Sequence, residues 1–395
     1  MVYEHVFQNI ISSDNQVYAI GETNYPNQQY RVTLEQSIFN YGNWENLRRA
    51  RAEVRQSNAV FEAAKQEFLL RVTERYFTAL AALELAEAAR AESRDLAQHL
   101  DLVQTRQQGG LARPAELSDA RARYLQVQAR ELQAASAVRD ALQALKELTG
   151  EIPPALNVLP ADVPVRRIAP MDPAYWTQMA RENNPLLAAA RAGVDRARYI
   201  VSAEDAELYP SLGVSLYTQR RKSEGTLFGG GSDIQEHGVL LHLDIPLYNG
   251  GLTYSRTRQA QSMVGKALAD EDQQNRAVER GTTAALDGIG TAAAQVEGLR
   301  AAQRAQEEVV EAAMTAYRSG TATTVDLLDA ERDLFFARAE STRARYDYAL
   351  NTLRLRYQVG LLDIADLDEV DRLLVPNQVP ISDYLTAPGN VGGMR

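Results

Sequence analysis

Residues 110–121, GLARPAELSDAR, and residues 320–331, GTATTVDLLDAE, place Gly110 against Gly320, Glu116 against Asp326 and Asp119 against Asp329, each pair 210 residues apart. A second pair of segments, VTLEQSIFNYGN at 32–43 and LHLDIPLYNGGL at 241–252, matches Leu34 with Leu243, Glu35 with Asp244, Asn40 with Asn249 and Gly42 with Gly251, at a spacing of 209. Two landmarks far apart in the chain with nearly equal offsets mark a duplicated unit of about 210 residues. That constrains the fold more than length does. A chain of 395 residues would otherwise suggest two or three unrelated domains.

Each unit carries two alternating strands and then long helices. YRVTLEQ (30–36) sets Tyr30, Val32 and Leu34 against Arg31, Thr33 and Glu35, and LLHLDIPL (240–247) sets Leu241, Leu243, Ile245 and Leu247 against His242 and Asp244. SLGVSLYT (211–218) alternates Leu212, Val214 and Leu216 with small or polar residues, and a further strand is expected near 2–11. Period-two alternation gives one apolar and one polar face. The polar stretches 12–27 and 219–236 read as connections.

Residues 43–108 hold no proline, enough for ~100 Å of helix at 1.5 Å per residue. Val54, Phe61 and Phe68 recur at seven residues, as do Leu69, Tyr76 and Leu83, a period that implies left-handed supercoiling against neighbours. Residues 253–318 repeat the pattern, and returning helices are expected at about 114–148 and 324–359, after tight glycine turns. Leu328, Phe335, Tyr346, Leu350, Leu353 and Tyr357 form the seam of the second return. The proline-rich stretch 151–173 interrupts the helices, a helix resumes over 184–210, and a short one is expected near 363–374 before a Pro/Gly-containing tail.

Composition excludes several functions. The net charge of −10 offers no general basic surface to nucleic acid. The chain has no cysteine, and its four histidines (His5, His99, His237 and His242) are scattered. No metalloprotease or phosphate-loop motif occurs, and FGGGSD at 228–233 lacks the Lys-Ser/Thr of a phosphate loop and reads as a flexible loop. No convergent acid–base, nucleophile or metal set emerges, so neither enzyme activity nor a cofactor is expected. No run of 18 or more apolar residues forms a membrane helix, and the polar start MVYEHVFQNI is no signal peptide.

Four strands with one apolar face cannot close a barrel alone, because membrane barrels begin at eight strands. Three copies would supply twelve strands and a ring of paired helices. Phe39, Tyr41, Trp44 and Tyr248 lie at the strand–helix junctions, where an interfacial aromatic girdle belongs; packing aromatics are the alternative. Asp326 and Asp329 follow the Gly-Thr turn, and Thr323-x-x-Asp326 reads as a capping box.

The segments LEQSIFNYGN, LDIPLYNGGL, YPSLGVSLYT, QQGGLARPAELSDAR and YRSGTATTVDLLDAERDL resemble the TolC family of bacterial outer-membrane efflux and secretion channels, over about residues 28–362. The resemblance implies a mainly α fold with a small β part: a trimeric twelve-stranded outer-membrane β-barrel continued by a periplasmic α-helical coiled-coil barrel. Residues 1–41 and 209–250 would supply barrel strands and external loops. Residues 42–150, 172–208 and 251–360 would build the helical tunnel, and 151–171 with 361–395 the equatorial segments and tail.

The implied function is the exit duct of a tripartite efflux pump or type I secretion system. The implied partners are a homotrimer, a periplasmic adaptor, an inner-membrane RND, ABC or MFS pump, and outer-membrane lipid. A periplasmic adaptor or coiled-coil scaffold is the alternative, but it would not need strands repeated at a fixed offset. By motif match, Asp326, Asp329, Tyr317, Glu116 and Asp119 would form a periplasmic gate, and Gly110, Leu111, Gly320 and Thr321 the tips that dock an adaptor. Ala322 stands where the best-known branch has a gate arginine, which leaves a lock of that kind without its cation. The tip turns read Gly109-Gly110-Leu111 and Ser319-Gly320-Thr321, without the family's valines. The helix 184–209 has no counterpart in the first repeat, so a missing signal peptide and helix are expected upstream of Met1.

Overall fold

The computed structural model describes residues 2–10, 21–165, 168–224, 231–376 and 381–385, with side chains in the first strand and the start of the second left out. The chain divides into one unit of residues 1–56 and 190–271 and another of 57–189 and 272–395. The long helices α1 (Tyr41–Gln108) and α5 (Leu252–Arg318) give their first turns to the first unit and the rest to the second.

The first unit is built on a four-stranded antiparallel sheet in sequence order: β1 (Val2–Ile10), β2 (Gly21–Phe39), β3 (Ser211–Ser223) and β4 (Ser232–Asp244). Its register settles which residues share a face. Leu34 pairs with Leu216, and Leu216 with Val239; Val214 pairs with Leu241, and Leu212 with Leu243. The opposite face carries Arg31–Gln219–Glu236 and Glu35–Ser215. The apolar face has no cover within the chain: Val32 is 68% exposed, Val239 72% and Leu241 67%. A bulge between Ser37 and Phe39 shifts the register just before α1.

The strands outrun their expected limits. Residues 21–27 belong to β2, and β3 and β4 reach Ser223 and Ser232, so the expected connections 12–27 and 219–236 are shorter. Polar strand ends look like loop in a hydropathy pattern, yet the ladder needs only backbone, and side chains add cross-strand bonds. The Arg31 guanidinium donates to Gln219 at 2.6 Å, and Arg220 forms a two-pronged pair with Asp233 at 2.9 and 2.7 Å. Strand β4 ends at Asp244 rather than Leu247, because Pro246 has no N–H to give a ladder. The readings of 12–20, of 228–230 and of the C-terminal tail lie outside the described residues, and the expected 228–233 loop is corrected at its end, where Ser232 and Asp233 begin β4.

The same unit contains the start of α1 and α5 and the end of α4 (Pro185–Asp205). Asn40 accepts the Asn43 N–H at 3.0 Å to cap α1, and Thr257 donates to Asp205 at 2.8 Å. Ala52 and Ala260 are buried there, where a small side chain lets helices approach. Tyr41 packs on Tyr209 at 5.3 Å between ring centroids. Trp44 and Tyr248 remain 61% and 83% exposed, and Phe39 is exposed as well. Of the four junction aromatics, Tyr41 is thus held by packing and three are presented outward.

The second unit consists of two helical hairpins with short elements around them. α2 (Pro114–Thr149) returns from α1, and α6 (Thr324–Val359) returns from α5; α3 (Pro173–Asn183), α7 (Ile364–Asp371) and α8 (Ser382–Leu385) complete it. The expected helix 184–210 begins at Pro185, and α3 precedes it. Asn184 accepts from the Leu186 and Leu187 N–H groups, so it caps α4 and separates the two. One core joins Phe77, Leu80 and Leu83 of α1 to Val138, Leu142 and Leu145 of α2 and Phe335, Tyr346 and Leu350 of α6. Another joins Val278, Leu286, Ile289 and Val296 of α5 to Tyr348, Leu355 and Val359 of α6. The expected α6 seam is buried at Leu328, Phe335, Tyr346, Leu350 and Leu353, and Tyr357 is half-buried. Val54, Phe61 and Phe68, by contrast, stay exposed within the chain.

Candidate functional site

The hairpin ends bring together most of the residues singled out in the sequence. Both turns have the same backbone. Gly110 N–H bonds to Gln107 O at 3.0 Å and Leu111 N–H to Arg106 O at 2.8 Å; Gly320 N–H bonds to Tyr317 O at 3.0 Å and Thr321 N–H to Ala316 O at 2.9 Å. These are paired Schellman closures, in which the residue after the cap is left-handed. Gly110 has φ 73° and Gly320 φ 76°, and an added Cβ would touch nothing at either position. Backbone conformation, not space, therefore calls for glycine. Leu111 is 76% exposed at the first tip. Thr321 bends back at the second, its hydroxyl donating to Ala316 O at 3.1 Å.

The helices leaving these turns begin differently. Thr323 caps α6: its hydroxyl accepts from Asp326 N–H at 3.3 Å, and Asp326 accepts from Thr323 N–H at 2.8 Å and from the hydroxyl at 2.7 Å. These bonds, the hydroxyl first and then the backbone N–H, hold the Asp326 carboxyl below the usual aspartate range. α2 has Pro114 in its first turn, and Arg113 gives no side-chain cap. Instead, Arg113 Nε donates to Glu116 at 2.8 Å.

The remaining carboxylates are paired, which the spacing did not reveal. Arg123 of α2 donates from Nε to Asp119 at 3.1 Å and from Nη1 to Asp329 of α6 at 2.9 Å. Arg332 also stands 3.4 Å from Asp329. Tyr317 is half-buried, and Glu116 and Asp119 are engaged by Arg113 and Arg123. The two aspartates differ in their bonding: Asp326 closes the capping box with Thr323 and keeps its charge, and Asp329 is bridged to the first repeat. Arg123 was the residue missed. Its place four after Asp119 was visible, but its reach to a residue 206 positions away was not.

Further along the hairpins, Leu96, Val127 and Leu328 make a small core. Arg130 pairs with Glu92 at 2.9 Å and lies over Phe335 and Phe336, 5.1 and 5.3 Å from their centroids. Burial, then Asp95 and Glu92, push the half-buried Glu331 carboxyl above its ordinary value. Among the described residues no group of three His, Cys, Asp or Glu could hold a metal ion, and no helix is long and apolar enough to cross a membrane. The latter says nothing about a β-barrel.

Comparison with known proteins places this architecture. The profile of the outer membrane efflux protein family matches residues 9–151 and 176–378. The alkaline protease secretion protein AprF of Pseudomonas aeruginosa is 30% identical over 351 residues, covering 88% of this chain and 73% of that protein. The outer membrane protein TolC of Vibrio cholerae is 28% identical, covering 86% of this chain and 78% of its own. Among solved structures, the Campylobacter jejuni CmeC outer membrane channel superposes with a TM-score of 0.74 at 15% identity, over 94% of this chain and 79% of that one. The chain belongs to the outer membrane efflux protein family.

Proposed function

We infer that this chain is one protomer of an outer-membrane exit duct for efflux or secretion. The observation that carries this is the sheet: one face exposes Val32, Leu34, Val239, Leu241 and Leu243, the other carries Arg31, Glu35, Ser215, Gln219 and Glu236, and the outer strands β1 and β4 end the sheet. An open sheet of this kind invites further strands, and apolar-out, polar-in alternation is the pattern of a transmembrane barrel. β3 and β4 have 13 residues each, more than the ~9–11 that a tilted strand needs to cross. Three copies would give twelve strands and close both edges. The exposed heptad positions Val54, Phe61 and Phe68 would then face neighbouring helices.

In this reading residues 1–41 and 209–250 form the barrel, 42–150, 172–208 and 251–360 the periplasmic tunnel, and 151–171 with 361–395 the segments around its waist. Phe39, Trp44 and Tyr248 sit at the membrane interface. The tips at Gly110–Leu111 and Gly320–Thr321 dock a periplasmic adaptor that links to an inner-membrane pump. Asp326, with Asp119, Glu116, Tyr317 and Asp329 around it, lines the periplasmic mouth. AprF, named for protease secretion, and CmeC, described as an outer membrane channel, support export as the shared task.

The test is fractionation followed by sizing. The protein, exported behind a cleavable secretion leader, should sediment with the outer membrane and run as a trimer by light scattering after detergent extraction. A water-soluble, folded monomer would overturn the reading.

A further inference from the structure

We propose that Arg123 is a built-in counter-cation of the channel mouth, one guanidinium that neutralises the Asp119 and Asp329 carboxylates of the two repeats. The inference rests on the reading of the hairpin ends as that mouth.

Three observations carry it. First, Asp119 and Asp329 are repeat counterparts, 210 residues apart, and one guanidinium lies between them, 3.1 Å from the first and 2.9 Å from the second. Second, the arrangement exists once and not twice. The residue 210 positions after Arg123 is Asp333, an acid, which pairs with its neighbour Arg332. Third, the shared cation is less exposed than the carboxylates it bridges. The Arg123 side chain is 24% exposed against 41% for Asp329, so the cation is partly shielded while the face around it is wet. Asp326, by comparison, is exposed and takes its bonds from the hydroxyl and N–H of Thr323, which are dipoles and leave its negative charge in place.

The electrostatic consequence follows from counting charges. Residues 113–123 and 323–333 carry six carboxylates and four guanidiniums, a net −2 per chain. Removing Arg123 makes that −3, frees Asp119 and leaves Asp329 with only the longer 3.4 Å contact to Arg332. A focused negative field raises the local concentration of cations, and two carboxylates that have lost a shared guanidinium attract a multivalent cation in its place. A partly exposed ion pair contributes little to fold stability, so the substitution should alter the field much more than the fold.

The experiment is single-channel recording of the full chain in planar bilayers, with hexamminecobalt(III) as the blocking probe. Arg123→Gln should lower the half-blocking concentration at least tenfold and move the reversal potential in a KCl gradient toward the cation limit. Arg123→Lys, which keeps the charge and loses the fork, should block like the parent. Arg123→Gln with Asp329→Asn should return most of the way. If Arg123→Gln assembles less well, the Lys variant and the double variant still decide. A Lys variant with stronger block, or a double variant blocked as strongly as one with both acids free, overturns the inference. Asp326→Asn separates the two readings. Reduced cation selectivity there with no effect of Arg123→Gln rejects the counter-cation and keeps the mouth. No change in either variant rejects the mouth itself and the inference with it.

Discussion

Leu241 is the sharpest place to test whether the bare sheet face meets lipid. It stands at the centre of the Val239–Leu241–Leu243 row, opposite Val214, and is 67% exposed within the chain. Leu241→Arg therefore removes almost no contact inside the protomer. In water, an exposed substitution of this sort is worth within about ±0.5 kcal/mol. In a barrel it puts a guanidinium against hydrocarbon, at a cost of ~2–4 kcal/mol per chain near the bilayer midplane and ~6–12 kcal/mol for a trimer. Even the lower figure shifts an assembly equilibrium by roughly four powers of ten, at ~1.4 kcal/mol per tenfold.

Ser215 is the matched control. It lies on the other face of the same sheet, between Glu35 and Leu240. Ser215→Lys adds the same charge beside an existing carboxylate, on the side that a channel would fill with water. The assay is the fraction of protein recovered as trimer from outer-membrane vesicles. Leu241→Arg should lose most of it, and Ser215→Lys should match the parent. Equal recovery of both variants would refute the face assignment, and loss of the Ser215 variant alone would invert it.

Two further outcomes follow from the helical unit. Glu84 of α1 accepts from Arg345 at 2.6 and 2.9 Å, from Thr342 at 3.1 Å and from the Tyr346 hydroxyl, and Arg345 is 7% exposed. Glu84→Ala should cost ~3–5 kcal/mol by leaving that cation buried and unpaired, and Arg345→Met in the same chain should recover much of it; urea unfolding of the purified protein reads both. The Glu331 carboxyl is pushed above its ordinary 4.5 by burial and by Asp95 and Glu92. The folded chain therefore binds that proton more tightly than the unfolded one, and stability falls as pH rises from 4.5 through the raised value. Glu331→Gln should raise the unfolding midpoint at pH 7 and make no difference below about pH 4; an equal gain at both would remove titration as the cause.

The strand faces were legible because Val32, Leu34, Leu241 and Leu243 alternate with polar residues, and alternation reports which residues share a face whether or not the chain covers it. Strand length was not, since Arg220 and Asp233 read as loop until the register sets them diagonally across the β3–β4 ladder on one face. The α6 seam was legible because its neighbours come from the same chain and bury it. Val54, Phe61 and Phe68 have the same period and remain exposed, so periodicity specifies a contact face without saying which chain covers it. Asn184 was opaque for a different reason. A single side chain that caps α4 and donates to Gln358 O at 2.8 Å ends one helix and starts another within a continuous polar-apolar pattern.

At the hairpin ends, the duplication is plainest in the backbone and least evident in the charges. Gly110 and Gly320 keep one left-handed conformation and one set of turn bonds, because a helix must shed its last carbonyls in the same way wherever it reverses. Side chains beyond the turn are free of that demand, and they have diverged. The second return begins with a closed capping box at Thr323, the first with Pro114 and an Arg113–Glu116 pair that is largely exposed. A cap of the Ser/Thr kind is worth ~1 kcal/mol, against ~0.2–1 for an exposed ion pair. The start of α2 is thus the less firmly anchored of the two, and Arg123, roughly two and a half turns into α2, ties it to Asp329 on the better-anchored α6. If the two hairpins of a protomer separate when the mouth widens, the packing of Leu96 and Val127 on Leu328 and of Arg130 on Phe335 and Phe336 must loosen, and with it one ion pair, Arg123 to Asp329, must break. That bond joins the looser repeat to the firmer one, where exact symmetry would have offered no such difference.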